Sequence, residues 1–416
     1  MLGNLALRGK GISGTLGSAT IRPEDGPTPI LTNGVPHVSR PAPASILNYF
    51  RDLPDPRRET RNKKHLLIDI LVIALCGTIA GCQSAVEIAA YGRAKEAWLK
   101  TFLQLPHGIP SHDTFSRVLQ LLDARKFHDC FVAWVQVLHE LTRGQVVPID
   151  GKTLRRSFDS ANGLPPLHLV SAWAAENRLV LGEVPVDDKS NEITAIPKLL
   201  EILELTGAIV TIDAMGCQKE IAAAVCEKKA DYVLAVKENQ PHLYEDLSDH
   251  FDRVLENEEL LPRTQHHATE EKNRGRDEHR TYISTPVPEG LRNREAWRDL
   301  RSVGCVISVV RREGKETIEV RYFISSLKPN AKLLAKAVRG HWGIENSQHW
   351  VLDVVFQEDQ SRARLDNAAE NLALLRRLAM NLMAKEGSKH ASLRVKGRTA
   401  SWNDDLMAQI LTAGTI

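Results

Sequence analysis

The stretch QVVPIDGKTLRRS (145–157) is where a helical sequence turns into a sheet. Its β-branched opening has the pattern of a buried strand, and the run ends on a carboxylate, Asp150. Two more strand patterns follow, LHLVSAWAA (167–175) and RLVLGEVPV (178–186), with Glu176-Asn177 between them as a two-residue hairpin turn. The three strands are therefore expected to lie antiparallel in chain order. Next come a helical stretch, AIPKLLEILELTG (195–207), and a second buried strand, AIVTIDAM (208–215), which reaches Asp213. A helix, KEIAAAVCEKKA (219–230), and a strand, DYVLAVKEN (231–239), complete the pattern. Strands separated by helices in this way imply parallel pairing.

Three antiparallel strands, then helix, strand, helix, strand, is the ribonuclease H-like order, so the expected fold class is α/β with a mixed sheet. In the simplest form of that fold a closing helix follows at once. Here residues 241–330 intervene: a charged helix, PHLYEDLSDHFDRVLE (241–256), then strand-like RTYIST (280–285), SVGCVISVVRR (302–312) and ETIEVRYFISSL (316–327). This is read as a strand-rich insertion feeding the helix AVRGHWGIENSQHW (337–350). A last amphipathic helix, AAENLALLRRLAMNLM (368–383), is expected to pack beneath the sheet. The catalytic domain then spans 144–386, and 387–416 reads as a C-terminal tail.

Upstream, 45–143 reads as an all-helical domain. Its apolar run HLLIDILVIALCGTIAGC (65–82) has about the length of a membrane span, but Asp69 and two glycines favour a buried core helix, and no membrane partner is expected. Pro106, Gly108 and Pro110 break the pattern before DTFSRVLQLLD (113–123), which Ser111 or Asp113 can cap. Helix, tight turn, helix is the outline of a DNA-reading unit, and equally of an ordinary helix pair. The basic run RRETRNKK (57–64) suits phosphates or a solvated loop. Residues 1–44, rich in Gly, Pro, Ser and Thr, have neither hydrophobic period and read as disordered, a flexible arm or the product of a start codon placed too far upstream.

Among 416 residues, 54 Lys and Arg nearly cancel 52 Asp and Glu, so any DNA contact must come from local patches. Six cysteines without a C-x-x-C pair argue against a structural zinc site and a secreted disulfide framework, and fit a reducing cytoplasm. No signal peptide is recognisable.

A carboxylate at the end of an apolar strand is costly unless it is paired or binds a metal. Asp150 and Asp213 on neighbouring strands repel each other, and divalent cations relieve that repulsion while leaving positions open for water and phosphate. Two metals about 3.5 to 4 Å apart suit in-line phosphoryl transfer. Glu345 is the third candidate ligand, with Asp353, Glu358 and Asp359 as alternatives. Arg339 and His341 are candidate contacts to the scissile phosphate. Lys152, Arg155 and Arg156 after Asp150, and His112 and Arg117 on the DTFSRVL helix, are further candidate DNA contacts.

The motifs PIDGKTLRRSFD (148–159), TIDAMGCQKEIA (211–222), ADYVLAVKENQPHLYEDL (230–247) and RGHWGIENSQHWVLDVVFQEDQSRAR (339–364) resemble the H-repeat-associated branch of insertion-sequence transposases. The resemblance runs over most of the chain from about Ile46, including GIPSHDTFSRVL in the helical domain. It implies a DDE transposase in which Asp150, Asp213 and Glu345 hold two Mg2+ ions, with Mn2+ able to substitute. It also implies double-stranded DNA partners, the terminal inverted repeats and a target; because two element ends must be held together, a homodimer on DNA is expected from the chemistry. A catalytically inactive DNA-binding relic and a nuclease without strand transfer are the alternatives. The wider superfamily places a Tyr and an Arg before the Glu and a Lys after it. Those positions here are Val338, His341 and Leu352. Either His341 and Arg339 replace the usual phosphate contacts, or the chemistry at the DNA end differs in detail.

Overall fold

The computed structural model describes residues 48–60, 63–138, 143–158, 160, 163, 165–187, 190–257, 264–273, 276–388 and 391–413. The segment 1–44, read as disordered, lies outside them. The first helices are α1 (Leu67–Ile79), α2 (Ala85–Ala94), α3 (Glu96–Leu99), α4 (His112–Leu121) and α5 (Ala124–Leu138). Although α1 is apolar, none of the described helices is long and apolar enough to cross a membrane. Asp69 is buried within it, and its Oδ2 accepts the Leu105 N–H at 2.9 Å. That bond pins the loop before α4 at a residue held at φ 40°, which explains a carboxylate inside an apolar helix. Ser111 caps α4, its Oγ accepting the Thr114 N–H at 3.3 Å, while Phe115, Val118 and Leu119 turn inward.

Among the described residues nine strands form one sheet in the order β3-β2-β1-β4-β5-β9-β8-β7-β6. Its first five are β1 (Val146–Thr153), β2 (His168–Ala174), β3 (Leu179–Pro185), β4 (Ile209–Ile212) and β5 (Asp231–Val236). β1, β2 and β3 pair antiparallel, whereas β1, β4 and β5 pair parallel, the ribonuclease H-like core expected from the sequence. α6 (Glu192–Ile202) and α7 (Lys219–Glu227) make the crossovers. The hairpin differs from its two-residue expectation. β2 and β3 are joined by residues 175–178, because the Ala175 N–H bonds the Val146 carbonyl at 3.1 Å instead of pairing with β3. Arg178 closes the turn at φ 55°.

The insertion opens with α8 (Pro241–Glu256) and continues as β6 (Gln265–Asn273), β7 (Arg276–Pro286), β8 (Ser302–Arg312) and β9 (Lys315–Ser325). These strands extend the central sheet rather than leave it, since β9 pairs antiparallel with β5 from Val233↔Ser325 to Val236↔Tyr322. β6, QHHATEEKN, has no apolar period of its own and escaped the sequence reading. Its strand form comes from pairing with β7.

One helix, α9 (Ala331–Gly343), lies across β1, β4, β5, β6 and β7. Period-two alternation decides what it covers. Ile209, Val233, Tyr282, Val306 and Phe323 face it and meet Ala331, Leu334, Ala335, Ala337 and Val338. Burying each of the larger side chains contributes about 1.5 to 3 kcal/mol. Val147, Ile149, Val210, Ile212, Tyr232 and Leu234 face the other side and join the large core. Gly340 lets α9 come down onto β1, where a Cβ would collide with Val146.

After a short α10 (Trp350–Val354), α11 (Ala368–Lys385) packs against α1, α4, α5 and β3. The expected amphipathic helix is instead buried on nearly all sides, including Asn371, Arg376, Arg377 and Asn381. Asn381 accepts the Val180 N–H at 2.8 Å and donates to its carbonyl at 2.9 Å, covering the exposed edge of β3 as a strand would. The stretch read as a tail is also structured. α12 (Leu393–Trp402) and α13 (Asp404–Thr412) bury Ala400, Met407, Ile410 and Leu411 against α11.

Candidate active site

The parallel register Ile149↔Ile212 makes Asp150 and Asp213 the next residues on two neighbouring strands. Both point to the α9 face, because their strand-mates Val146 and Ile209 do so. Asp213 is half-buried, and its Oδ1 accepts the N–H groups of Met215 and Gly216 at 3.0 and 3.3 Å. The aspartate thus shapes the turn after β4 with one oxygen. The Asp150 side chain is 19% exposed and, among the described residues, pairs with no Lys or Arg. Burial, reinforced by the nearby carboxylates of Glu192, Glu345 and Asp213, pushes its pKa up to about 7. Gly151 is needed beside it, since a Cβ there would strike the Glu192 carboxylate and the His168 ring, themselves paired at 2.8 Å.

Glu345 comes to the cleft that Asp213 also lines, through a distortion. After α9 the helix widens into a π-helical turn, Ile344–His349, before returning to α-helix. Such turns shift the phase of everything beyond them and recur at functional sites. Here Ile344 and Gln348 are buried, while Glu345 is exposed and His349 presents Nδ1 3.7 Å from Asp150 Oδ2. His349 is kept neutral, with burial and then Lys152 and Arg377 lowering its pKa to about 4. Its Nε2, the Oγ of Ser171 opposite Asp150, and both side-chain polar atoms of Gln348 are buried without a hydrogen-bond partner.

Asp213 and Glu345 line a cleft of about 840 Å³ whose other wall is the insertion: Arg276, Arg280 and Arg321, with Trp342 beside Glu345. Among the described residues no three His, Cys, Asp or Glu side chains come close enough together to hold an ion as they stand. The donor chemistry nevertheless fits a hard divalent cation. Asp150, Asp213 and Glu345 raise the negative potential of one site that lacks a cationic partner, and orphaned polar atoms surround it.

The alternatives for the third ligand are committed elsewhere. Asp353 and Asp359 pair with Lys152 Nζ at 2.8 and 3.0 Å, and Glu358 is fully buried against Arg377. Burial alone would raise the pKa of Glu358, but Arg377 and Arg376 outweigh it and hold the carboxyl below its ordinary value. Lys152, read as an exposed DNA contact, is instead 7% exposed and faces this acidic group, because it shares the inward face of β1 with Asp150. Arg155 is exposed but reaches Asp359 at 3.2 Å, and Arg156 is exposed. His112 and Arg117 lie on the exposed side of α4, remote in sequence from the carboxylates. In the basic run, Arg57 and Lys63 both pair with Asp55, at 2.7 and 3.3 Å.

Both proposed phosphate contacts line the cleft, yet neither is free. Arg339 pairs with Glu271 of β6. His341 Nδ1 lies 3.1 Å from Thr211 Oγ1, and burial lowers its pKa against the pull of Asp213. Sequence reading overlooked His349, Arg280 and Arg321. The signal for the arginines was parity, since Arg276, Glu278 and Arg280 continue the face of Tyr282, and Arg321 that of Phe323.

The DDE_Tnp_1-associated family matches residues 47–135, and the transposase DDE domain family matches residues 142–382. The protein YncI of Escherichia coli O157:H7, provisionally named a transposase, is 40% identical over 89% of this chain and 95% of its own length. The H repeat-associated protein YhhI of Escherichia coli K12, also provisionally named a transposase, is 37% identical over 88% of this chain and 97% of its own. A solved structure of the piggyBac transposase synaptic complex with hairpin DNA aligns over 89% of this chain and 81% of that one, at 13% identity and a TM-score of 0.41, too distant to inform the site. With a matching domain over more than half its length and relatives aligned nearly end to end, this chain belongs to the transposase DDE domain family.

Proposed function

We propose that this protein is a DNA transposase that cuts DNA at the ends of its own element and joins the freed 3′ hydroxyl to target DNA, with Asp150, Asp213 and Glu345 as the ligands of two divalent cations. The observation that carries this reading is geometric: the register Ile149↔Ile212 sets Asp150 beside Asp213, and Asp213 and Glu345 line one cleft. When bound, Mg2+ or Mn2+ would supply Lewis-acid activation of the attacking and leaving oxygens.

The chain's own groups divide the remaining work. Asp150 and Asp213 anchor the site from the rigid sheet, and Glu345 closes it from the helix. In cleavage the oxygen of water bonds to phosphorus while the bond to the 3′ oxygen breaks, releasing a 3′ hydroxyl. In joining, that hydroxyl attacks a target phosphodiester, whose own 3′ oxygen departs. His112 and Arg117 on α4 are exposed for contact with the element ends. Two ends must be held together, so a homodimer on DNA is expected, working in the cytoplasm.

Asp213→Ala is the test. It should abolish strand cleavage in Mg2+ or Mn2+ while folding and end-binding persist, and unchanged cleavage would sink the proposal. A wild-type protein that binds DNA ends yet never cuts them would be the inactive relic. Cleavage without joined products would mark a nuclease.

A further inference from the structure

The cleft wall opposite Asp213 and Glu345 contains a buried cation with unused hydrogen-bonding capacity. Arg280, on β7, is 3% exposed, yet its Nε and Nη1 make no hydrogen bond. Its Nη2 takes Glu278 at 2.5 Å, and Nη1 stops 3.6 Å from Glu271, beyond hydrogen-bond reach. Leaving guanidinium donors buried and unpaired is costly, and fixed sites that do so usually await an acceptor. Arg280 also lies 4.5 Å from the Trp342 ring centroid, and Arg321, on β9, lies 5.1 Å from the same ring. One tryptophan thus braces two guanidinium groups from strands that are not neighbours, holding like charges together beside Glu345. Both arginines line the cleft. Like Arg339 of the Glu345 helix, which pairs with Glu271, Arg321 is already paired, its Nε and Nη2 donating to Glu319 at 2.7 and 2.8 Å, so a phosphodiester there must share or displace that carboxylate.

We propose that Arg280 and Arg321, braced on Trp342, form a phosphate-binding subsite that grips one phosphodiester of the DNA strand lying in the carboxylate cleft. The planar fork of arginine matches the oxygens of a phosphodiester, and the inserted strands thereby supply the cationic half of a site whose anionic half comes from the core. The inference rests on the transposase reading.

The experiment measures binding of the full chain to a random-sequence DNA duplex in EDTA, across a series of NaCl concentrations. Each lost phosphate contact lowers the slope of log K against log[NaCl] by about one. Arg280→Met and Arg321→Met should each lower it by about one and together by about two, while Arg280→Lys, which keeps the charge, restores it. Arg311→Met, at an exposed residue paired with Glu316 outside the cleft, should leave it unchanged. Should Arg280→Met fail to fold, the half-exposed Arg321 decides alone. Folded variants with the wild-type slope would overturn the subsite and leave the transposase reading standing. A wild-type chain that binds no duplex would take down both.

Discussion

Two groups of buried charge stand two residues apart on β1, and they are built on opposite principles. At Lys152 the signs alternate: Asp353, Asp359 and Glu358 surround the lysine, and Glu358 passes the pairing on to Arg376, Arg377 and, through Arg377 Nε at 2.5 Å, to Glu183. Every charge there has an opposite neighbour, and Glu358, Arg376, Arg377 and Glu183 at its heart are closed from water. At Asp150 the neighbours Glu192, Glu345 and Asp213 share its sign, and the group opens onto a cleft. The first arrangement locks β1, α10 and α11 in register. The second stores repulsion that stability alone would have removed, as a site for a cationic ligand must.

The contrast can be broken most forcefully at the open group. Asp150→Asn should lower strand cleavage by about a thousand-fold or more, since it removes one of the three proposed ligands. The same variant should melt no lower than wild type in metal-free buffer, and a clear loss of Tm would show that Asp150 is structural. At the closed group the effects should reverse. Arg377→Ala leaves Glu183 and Glu358 buried without their partner and should cost about 3 to 5 kcal/mol in a urea titration. A near-neutral result would mean that the network does not hold α11 in place. Divalent ions sharpen the distinction further. Millimolar Mn2+ should raise the wild-type Tm, by about 2.7 kcal/mol of stabilisation at a hundred times its Kd, and leave the Tm of an Asp150→Asn, Asp213→Asn double variant in place. Equal shifts in both proteins would place the ion elsewhere.

The smallest effect belongs to Asp69, a buried acid of a third kind, with no cation but with the Leu105 N–H. Burial raises its pKa. Its ionisation therefore costs stability, which is full below the ordinary carboxylate range and declines as pH rises through the raised value. Asp69→Asn keeps an acceptor for Leu105, so it should gain stability at neutral pH, lose that gain in acid, and leave cleavage unaltered. A drop in cleavage would join this helix to the catalytic group.

The strands of the core were legible because buried β-branched runs repeat with period two, and the same parity put Asp150 and Asp213 on one face once β1 and β4 were neighbours. Glu345 was legible only as one of several acids. Asp353, Glu358 and Asp359 are equally acidic in sequence, and what separates them is that Lys152 and Arg377 have already claimed them. Lys152 itself looked like a surface lysine because sequence shows its charge and not the acids that α10 and the turn after it deliver from two hundred residues away. β6 was hidden for the related reason that a polar edge strand takes its form from its partner.

By itself, then, the sequence determined the helical start, the mixed sheet and the two aspartates of its central strands, though β1 runs on past Asp150 to Thr153, because local period and strand order are written in adjacent residues. Only the tertiary structure decided which of the candidate acids are already paired, which lysine is inside, and which arginines face the cleft. Those outcomes depend on burial and on the sign of neighbours brought together from distant parts of the chain, and on a single π-helical turn whose change of phase no hydrophobic pattern records.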